Sequence, residues 1–280
     1  LTGIFLNPND GFGLSPQNVG IYSCSIQGCG TNFLSLSTTL PNPPSALVMT
    51  ATDANNLEVN IKAPVNDGGS PLASYTLFLH TGAVGAQIDR NSMTAEQVDR
   101  PASNYDASEC IDGSTTNYCS TKTVKLGGSD RWFRLSFNEP KNIHSVKIYN
   151  RISCPSSDNS CRSRLSTFHL MWKDSNENWF TCSDSPYFFP DEIGPYSFDC
   201  FAYDATAIEI RKKIESLNEI DYLTMAEIEV YTFAWLEKIS TTVAGTVDLT
   251  TTLTGENYGS NSKKYLHGYS CSVLGCGQLS

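Results

Sequence analysis

Charge is scarce in this 280-residue chain, and basic charge most of all. Charged residues make up 17% of it, with 19 Lys and Arg against 29 Asp and Glu, giving a net charge of −10. That balance excludes a nucleic-acid partner, which needs a basic face. It also disfavours an anionic membrane surface. No apolar run approaches the roughly 18 residues that cross a bilayer, so no membrane span is expected. No Asn-x-Ser/Thr sequon occurs, and Asn159-Ser-Cys is the only, weak, variant. The four histidines, at 80, 144, 169 and 267, are scattered and stand beside no closely spaced cysteine pair, which weakens a zinc reading. The chain has no Ser-His-Asp order with a nucleophile elbow, no Gly-rich phosphate loop and no His-Glu-x-x-His. Glu227 and Glu229 point the same way on a strand, but nothing marks them as catalytic. We therefore expect no enzyme and no catalytic cofactor. The chain starts at Leu1 without a signal-peptide pattern, which reads as a removed leader or a piece of something longer.

What is abundant is cysteine and alternation. The ten cysteines, 24, 29, 110, 119, 154, 161, 182, 200, 271 and 276, are locally spaced. They predict five disulfides between sequence neighbours, hence an oxidising, extracellular or cell-surface setting. The segments "LEVNIKA", "SYTLFLH", "WFRLSF", "SVKIYN", "TFHLMW", "AIEIRKK" and "AEIEVY" alternate with period two and are rich in β-branched and aromatic residues. Turn signals such as "NDGG" and "GGSD" separate them. Only "MTAEQV" and "IESLNE" have the composition for a turn or two of helix. The fold class is all-β, made of sandwiches or barrels.

One phrase occurs twice. "YSCSIQGCG" at 22–30 and "YSCSVLGCG" at 269–277 share seven of nine positions, 247 residues apart. Repetition at a fixed period is the mark of an array. On that reading Cys24–Cys29 and Cys271–Cys276 each staple the last hairpin of a sandwich.

The stretch from Pro41 to about Arg90 includes "PNPPSALVMTATDANNLEVNIKAPVNDGGSPLASYTLFL". It resembles the first half of a fibronectin type III domain, except that Lys62 stands where the family usually has a core tryptophan. "TTTLTGENYGSNSKKYLHGYSCSVLGCGQLS" looks like the closing strands of the same fold. Residues 41–90 and 232–280 number 50 and 49, together close to one sandwich of about 100 residues. Embedding one domain in a loop tip of another is well tolerated. The resemblance thus implies four segments: 1–40, closing strands of a preceding Ig-like domain; 41–91, a first half; 92–231, an insert; and 232–280, the second half. "LSLSTTLPNPPSA" would be a linker. Its Ser37, Thr38 and Thr39 are of the kind that carries O-glycans, and a plain solvated linker fits equally well.

The insert carries "ASECIDGSTTNYCST", "RWFRLSF", "NIHSVKIYNRISC", "RSRLSTFHLMW", "WFTC…SFDC" and "LTMAEIEVY". In that order they resemble the F-type lectin branch of the discoidin, galactose-binding-like jelly rolls. Such domains bind sugars or adhere, often through fucose, with a structural calcium. The fold implied is a jelly-roll sandwich inserted in an Ig-like type III sandwich. The family pocket uses a histidine and two arginines. Arg151 and Arg164 match the arginines, but they lie 13 apart because "PSSDNSC" separates Cys154 from Cys161. Ser153 replaces the acid between them. The histidine would fall near Thr121 or Lys122, and none is there. Two readings stay open: a modified glycan site on Arg151, Arg164 and Lys122, or surface arginines around a rebuilt loop. For calcium the resemblance implies Glu109, Asp112, Ser114 and Glu227 with backbone carbonyls, against a solvated acidic turn. The family links the cysteine matching Cys119 to one matching Ala226. That partner is lost and Cys110 is gained, which supports a Cys110–Cys119 bridge, while Cys182–Cys200 matches a family disulfide.

Two functions remain. One is an extracellular structural repeat that joins neighbouring copies of itself linearly through its Ig-like segments. The other is a calcium-dependent, fucose-type lectin module on type III spacers, with cell-surface glycans as partners.

Overall fold

The structure is a computed structural model. It describes residues 2–5, 17–25, 28–38, 40–53, 55–99, 105–121, 130–154, 161–165, 167–182, 193–212, 222–245, 247–254, 264–272 and 275–276, with backbone alone for 2–38 and 275. Contacts divide the chain into two compact units, one made of residues 1–81 with 236–280 and the other of residues 82–235. Each is all-β. Among the described residues the helical pieces are two short 3₁₀ turns, Arg90–Ser92 and Ala107–Cys110.

The first unit opens with a meander of β1 (Thr2–Phe5), β2 (Gln17–Ser25) and β3 (Gly28–Thr38). In it Cys24 stands opposite Cys29, and Ser37 and Thr38 pair with Asn18 and Gln17. Residues 34–38, read from sequence as linker, are therefore strand: their alternating Leu-Ser-Leu-Ser pattern suits a ladder. Thr39 lies outside the described residues. Next come β4 (Ala46–Ala51), β5 (Asn56–Lys62) and β6 (Leu72–His80). In β5, Leu57, Val59 and Ile61 are buried while Glu58 and Asn60 alternate with them. This is the period of two that puts every second side chain in a core.

The second unit follows with β7 (Val84–Gln87), β8 (Met93–Gln97), β9 (Cys119–Ser120), β10 (Arg131–Tyr149), β11 (Phe168–Lys173), β12 (Trp179–Thr181), β13 (Tyr196–Lys212), β14 (Thr224–Met225) and β15 (Glu227–Phe233). Strands β10 and β13 are long and serve two layers. The first half of β10 lies between β8 and the second half of β13, and its second half lies between β15 and the first half of β13. Register shifts between Ser136 and Ser145 mark the bend. There Asp204 has a left-handed φ of 51°, and its N–H donates to Asn142 Oδ1 at 2.9 Å. Phe133, Leu135, Ile148, Phe168, Leu170 and Ile210 face one core and are almost fully buried. Each such side chain stabilises the fold by about 1.5–3 kcal/mol.

Two sequence readings are corrected here. "MTAEQV" contributes strand β8, because Met93 is buried and Ala95 packs against the core on the same face. "IESLNE" lies outside the described residues. The insert also begins earlier than 92 and ends later than 231: β7 pairs with β15, Gln87 opposite Tyr231 and Val84 opposite Phe233. A Cβ on Gly85 would sit 2.4 Å from the carbonyl oxygen of Phe233, so only glycine allows that approach. The short, small-residue "VGAQ" gave no strand signal of its own.

The chain then returns to the first unit with β16 (Leu236–Thr242), β17 (Leu249–Thr254), β18 (Tyr265–Ser272) and β19 (Gly275–Cys276). One sheet is ordered β16-β6-β18-β19 and the other β17-β5-β4.

Candidate functional site

Arg151 follows β10, in a loop that the Cys154–Cys161 disulfide closes against the turn carrying Arg162 and Arg164. The buried Asn150 ties the two segments. Its Nδ2 donates to the Arg162 carbonyl at 2.9 Å, and its Oδ1 accepts the Arg151 N–H at 2.8 Å. Arg162 returns the contact, donating from Nε to the Arg151 carbonyl (3.3 Å) and from Nη2 to that of Ile152 (2.7 Å). The loop that lengthens the arginine spacing is thus fixed by a covalent bridge and four hydrogen bonds.

So held, Arg151 is only 5% exposed, and its guanidinium lies 3.5 Å above the Tyr118 ring centre. Tyr118 in turn stacks on Tyr105 at 4.8 Å. Arg164 lies over Tyr222 at 4.2 Å. Both guanidinium charges reach the Tyr118 phenol: burial raises its pKa first, the hydrogen bond with Tyr105 adds to this, and Arg151 and Arg164 oppose it. Arg151 thus lies on Tyr118 with Tyr105 beyond it and Arg164 on Tyr222, and the β9–β14 pairing, Ser120 opposite Thr224, sets the two tyrosine segments side by side. The tyrosines were missed in the sequence because they come from distant segments, although "NYC" and "DYLT" place each beside a short strand.

The absent histidine has a structural counterpart. Thr121 is buried and bridges to Leu223: its N–H donates to the Leu223 carbonyl and its Oγ1 accepts the Leu223 N–H, each at 3.0 Å. It is a backbone tie, not a ligand contact. Lys122 lies outside the described residues.

The residues named for calcium form two groups. Glu227, 1% exposed, faces Arg90, whose Nε is 3.3 Å from Oε1, and accepts the Gly113 N–H at 3.3 Å on both oxygens. Its pKa is raised to about 7, by burial first, with Gly113 and Arg90 pulling down and Asp112 pushing up. A Cβ on Gly113 would come within 2.9 Å of Arg90 Nη1, and its φ of +91° is also glycine's. Glu109 and Asp112 instead share the amide of Asn117, each at 2.5 Å. Ser114 donates its N–H to Asp112 and meets Thr116 with its hydroxyl. Among the described residues no three His, Cys, Asp or Glu side chains are grouped to hold a metal ion. The geometry does not fit the calcium expectation, because a guanidinium stands at the Glu227 carboxylate. Sequence reading placed Arg90 in another domain and so missed it.

Besides Cys154–Cys161, the bridges Cys110–Cys119, Cys182–Cys200 and Cys271–Cys276 are formed. The side chains of Cys24 and Cys29 lie outside the described residues.

A second arginine–aromatic group sits on the sheet face. Arg134 lies over Trp132 (4.7 Å) and Trp179 (5.1 Å), and Arg211 approaches Trp179 at 5.8 Å. Beneath them is the fully buried carboxylate of Glu209. It accepts Arg134 Nε and Nη2 at 2.9 and 2.7 Å and Arg211 Nε at 2.5 Å.

The family model of the NedA-like, galactose-binding domain matches residues 109–210. Among solved structures, an F5/8 type C domain from Bacteroides fragilis is similar at 16% identity and TM-score 0.44, covering 55% of this chain and 99% of its own. A CBM32 module from Clostridium perfringens, in complex with GalNAc-β-1,3-galactose, aligns at 14% identity and TM-score 0.42, covering 52% of this chain and 100% of its own. The lectin domain of lectinolysin, complexed with Lewis b antigen, aligns at 17% identity and TM-score 0.42, covering 52% and 99%. No curated protein matches the chain.

Proposed function

We propose that the 82–235 unit is a non-catalytic carbohydrate-binding module that takes a sugar on the Arg151–Tyr118–Arg164–Tyr222 patch. The observation that carries this is the convergence of two arginines, 13 residues apart in sequence, each over a tyrosine ring. Aromatic faces take the apolar side of a sugar ring, and guanidinium edges take its hydroxyls. The match to a galactose-binding family model and the sugars held by the CBM32 and lectinolysin structures are consistent with it. The reading needs no calcium, since Arg90 already places a cation at Glu227. It favours no fucose either, because neither Thr121 nor Lys122, near which the fucose pocket would have its histidine, is one. The test is a glycan array with the 280-residue chain, its Arg151→Ala and Arg164→Ala variants alongside. Both substitutions should weaken every hit at least tenfold, about 1.4 kcal/mol. An empty array, or hits indifferent to both variants, would remove the reading.

A second reading concerns the rest of the chain, with one observation in its favour. The same hairpin closes both ends: Cys24 opposite Cys29 with Ser25 opposite Gly28, and Cys271 opposite Cys276 with Ser272 opposite Gly275. We read the β16-β6-β18-β19 and β17-β5-β4 sheets as a type III sandwich of an extracellular array, with 1–40 closing a neighbouring one. Its disulfides suit an oxidising environment. Deleting residues 1–40 should then leave a folded monomer, as judged by sedimentation and circular dichroism. An unfolded product would count against the array.

A further inference from the structure

Cys182 follows one of the chain's four tryptophans by three residues, in the stretch Trp179-Phe180-Thr181-Cys182. Three places after Trp132, Trp172 and Trp235 stand Leu135, Ser175 and Lys238. Trp-x-x-Cys, like Trp-x-x-Trp, is a pattern that C-mannosyltransferases read on an unfolded chain entering the secretory pathway. That pathway is also where cysteines are oxidised, and Cys182 is bridged to Cys200. Sequence pattern and redox setting therefore agree.

The fold decides whether a sugar on that indole can be housed. Alternation along β12 sends its side chains to opposite faces. Phe180 stacks on the buried Trp172 at 4.5 Å and packs against the core. Trp179, one residue earlier, takes the other face and is partly exposed. Strand β12 also stands at the end of its sheet, paired with β11. An added ring on this face enters no core.

Three cations surround the indole. Arg134 is 5.1 Å from its ring centre, and Lys173 and Arg211 are each 5.8 Å away. All three are partly exposed. Lysine and arginine offer N–H donors only, and the hydroxyl oxygens of a sugar accept.

We propose that Trp179 is a C-mannosylation site. The donor is a lipid-phosphate-linked mannose. Its C1–O bond breaks, and the electron pair leaves on the phosphate. The indole C2 carbon bonds to C1, and the C2 proton passes to a base of the transferase, which restores the aromatic ring. Once the chain folds, the mannose stands on the outer sheet face among Arg134, Lys173 and Arg211. This sugar is carried and not captured, so the inference does not rest on the loop-end patch.

The test is mass spectrometry of the 280-residue chain, made in animal cells with an active C-mannosyltransferase and in the same cells without it. The peptide bearing Trp179 should carry one hexose in the first case and none in the second. That hexose should resist alkaline elimination, which strips Ser- and Thr-linked sugars. Two variants separate the pattern from the fold. Cys182→Ala and Cys200→Ala break the same bridge, but only the first removes the pattern. Cys182→Ala should lower hexose occupancy at least tenfold, while Cys200→Ala should leave it unchanged. The transferase acts before folding, so intracellular chain gives the same readout where a variant is not secreted. An unmodified Trp179 in cells that mannosylate a co-expressed Trp-x-x-Trp reporter would overturn the site. A hexose found on Thr181 instead, or equal loss in both cysteine variants, would overturn it as well.

Discussion

Two groups of arginines lie on aromatic rings in the 82–235 unit, and they differ in what lies beside them. On the sheet face, Arg134 and Arg211 converge on Glu209, which has no exposure and accepts from both. At the loop end, Arg162 and Lys212 donate to backbone carbonyls while Arg151 and Arg164 sit on tyrosines. The first group is a closed ion network that stitches β10 to β13. The second ties its donors to backbone carbonyls and lays its arginines on tyrosine rings. Arginine on an aromatic ring is therefore no mark of a site by itself. What distinguishes the first is the buried carboxylate of Glu209 at its centre.

The strongest way to break the contrast is to strand the sheet-face carboxylate. Replacing Arg134 and Arg211 together with Met leaves Glu209 buried and unpaired. That should cost about 3–5 kcal/mol of unfolding free energy, read by urea denaturation, with little change in sugar affinity for whatever folds. The loop end should respond in the opposite sense. Cys154→Ser with Cys161→Ser frees a short loop, which costs about 2–3 kcal/mol by loop entropy. It should lower sugar affinity as well, because Arg151 and Arg164 lose their common support. Equal affinity in the reduced loop would show that the four hydrogen bonds around Asn150 suffice. Arg164→Ala comes third: at least tenfold weaker binding with a melting temperature unchanged to within about 2 °C, since the side chain is partly exposed and surface changes cost little. The smallest effect is expected from calcium. Adding it or a chelator should move the melting temperature of the 280-residue chain by less than about 1 °C, because Arg90 holds Glu227. A rise of several degrees would mean that the guanidinium yields its place to the metal.

How much of this could be read in advance follows from the range of each interaction. "LEVNIKA" and "WFRLSF" announce β5 and the start of β10 because alternation is local to a few residues. Neighbouring cysteines announce Cys110–Cys119 and Cys154–Cys161 for the same reason. "MTAEQV" misled because its residues favour helix, while its place beside β10 made it a strand. Arg151 and Arg164 were visible as candidates, but their tyrosine partners were not. Tyr118 and Tyr222 are more than a hundred residues apart in sequence, and the two-residue pairing of β9 with β14, Ser120 opposite Thr224, brings their segments together. Arg90 and Glu227 are separated by 137 residues, so the cation that displaces the calcium expectation left no local trace.

The neck of the second unit bears on how the chain folds. His80 and Leu236 are neighbours in the β6–β16 ladder, and just beyond them Val84 and Phe233 are neighbours in the next. The chain leaves one unit and comes back at almost the same point. The β6–β16 ladder, with His80 opposite Leu236, thus holds both ends of the 82–235 segment together, so that segment folds as a loop whose closure is already fixed by backbone hydrogen bonds.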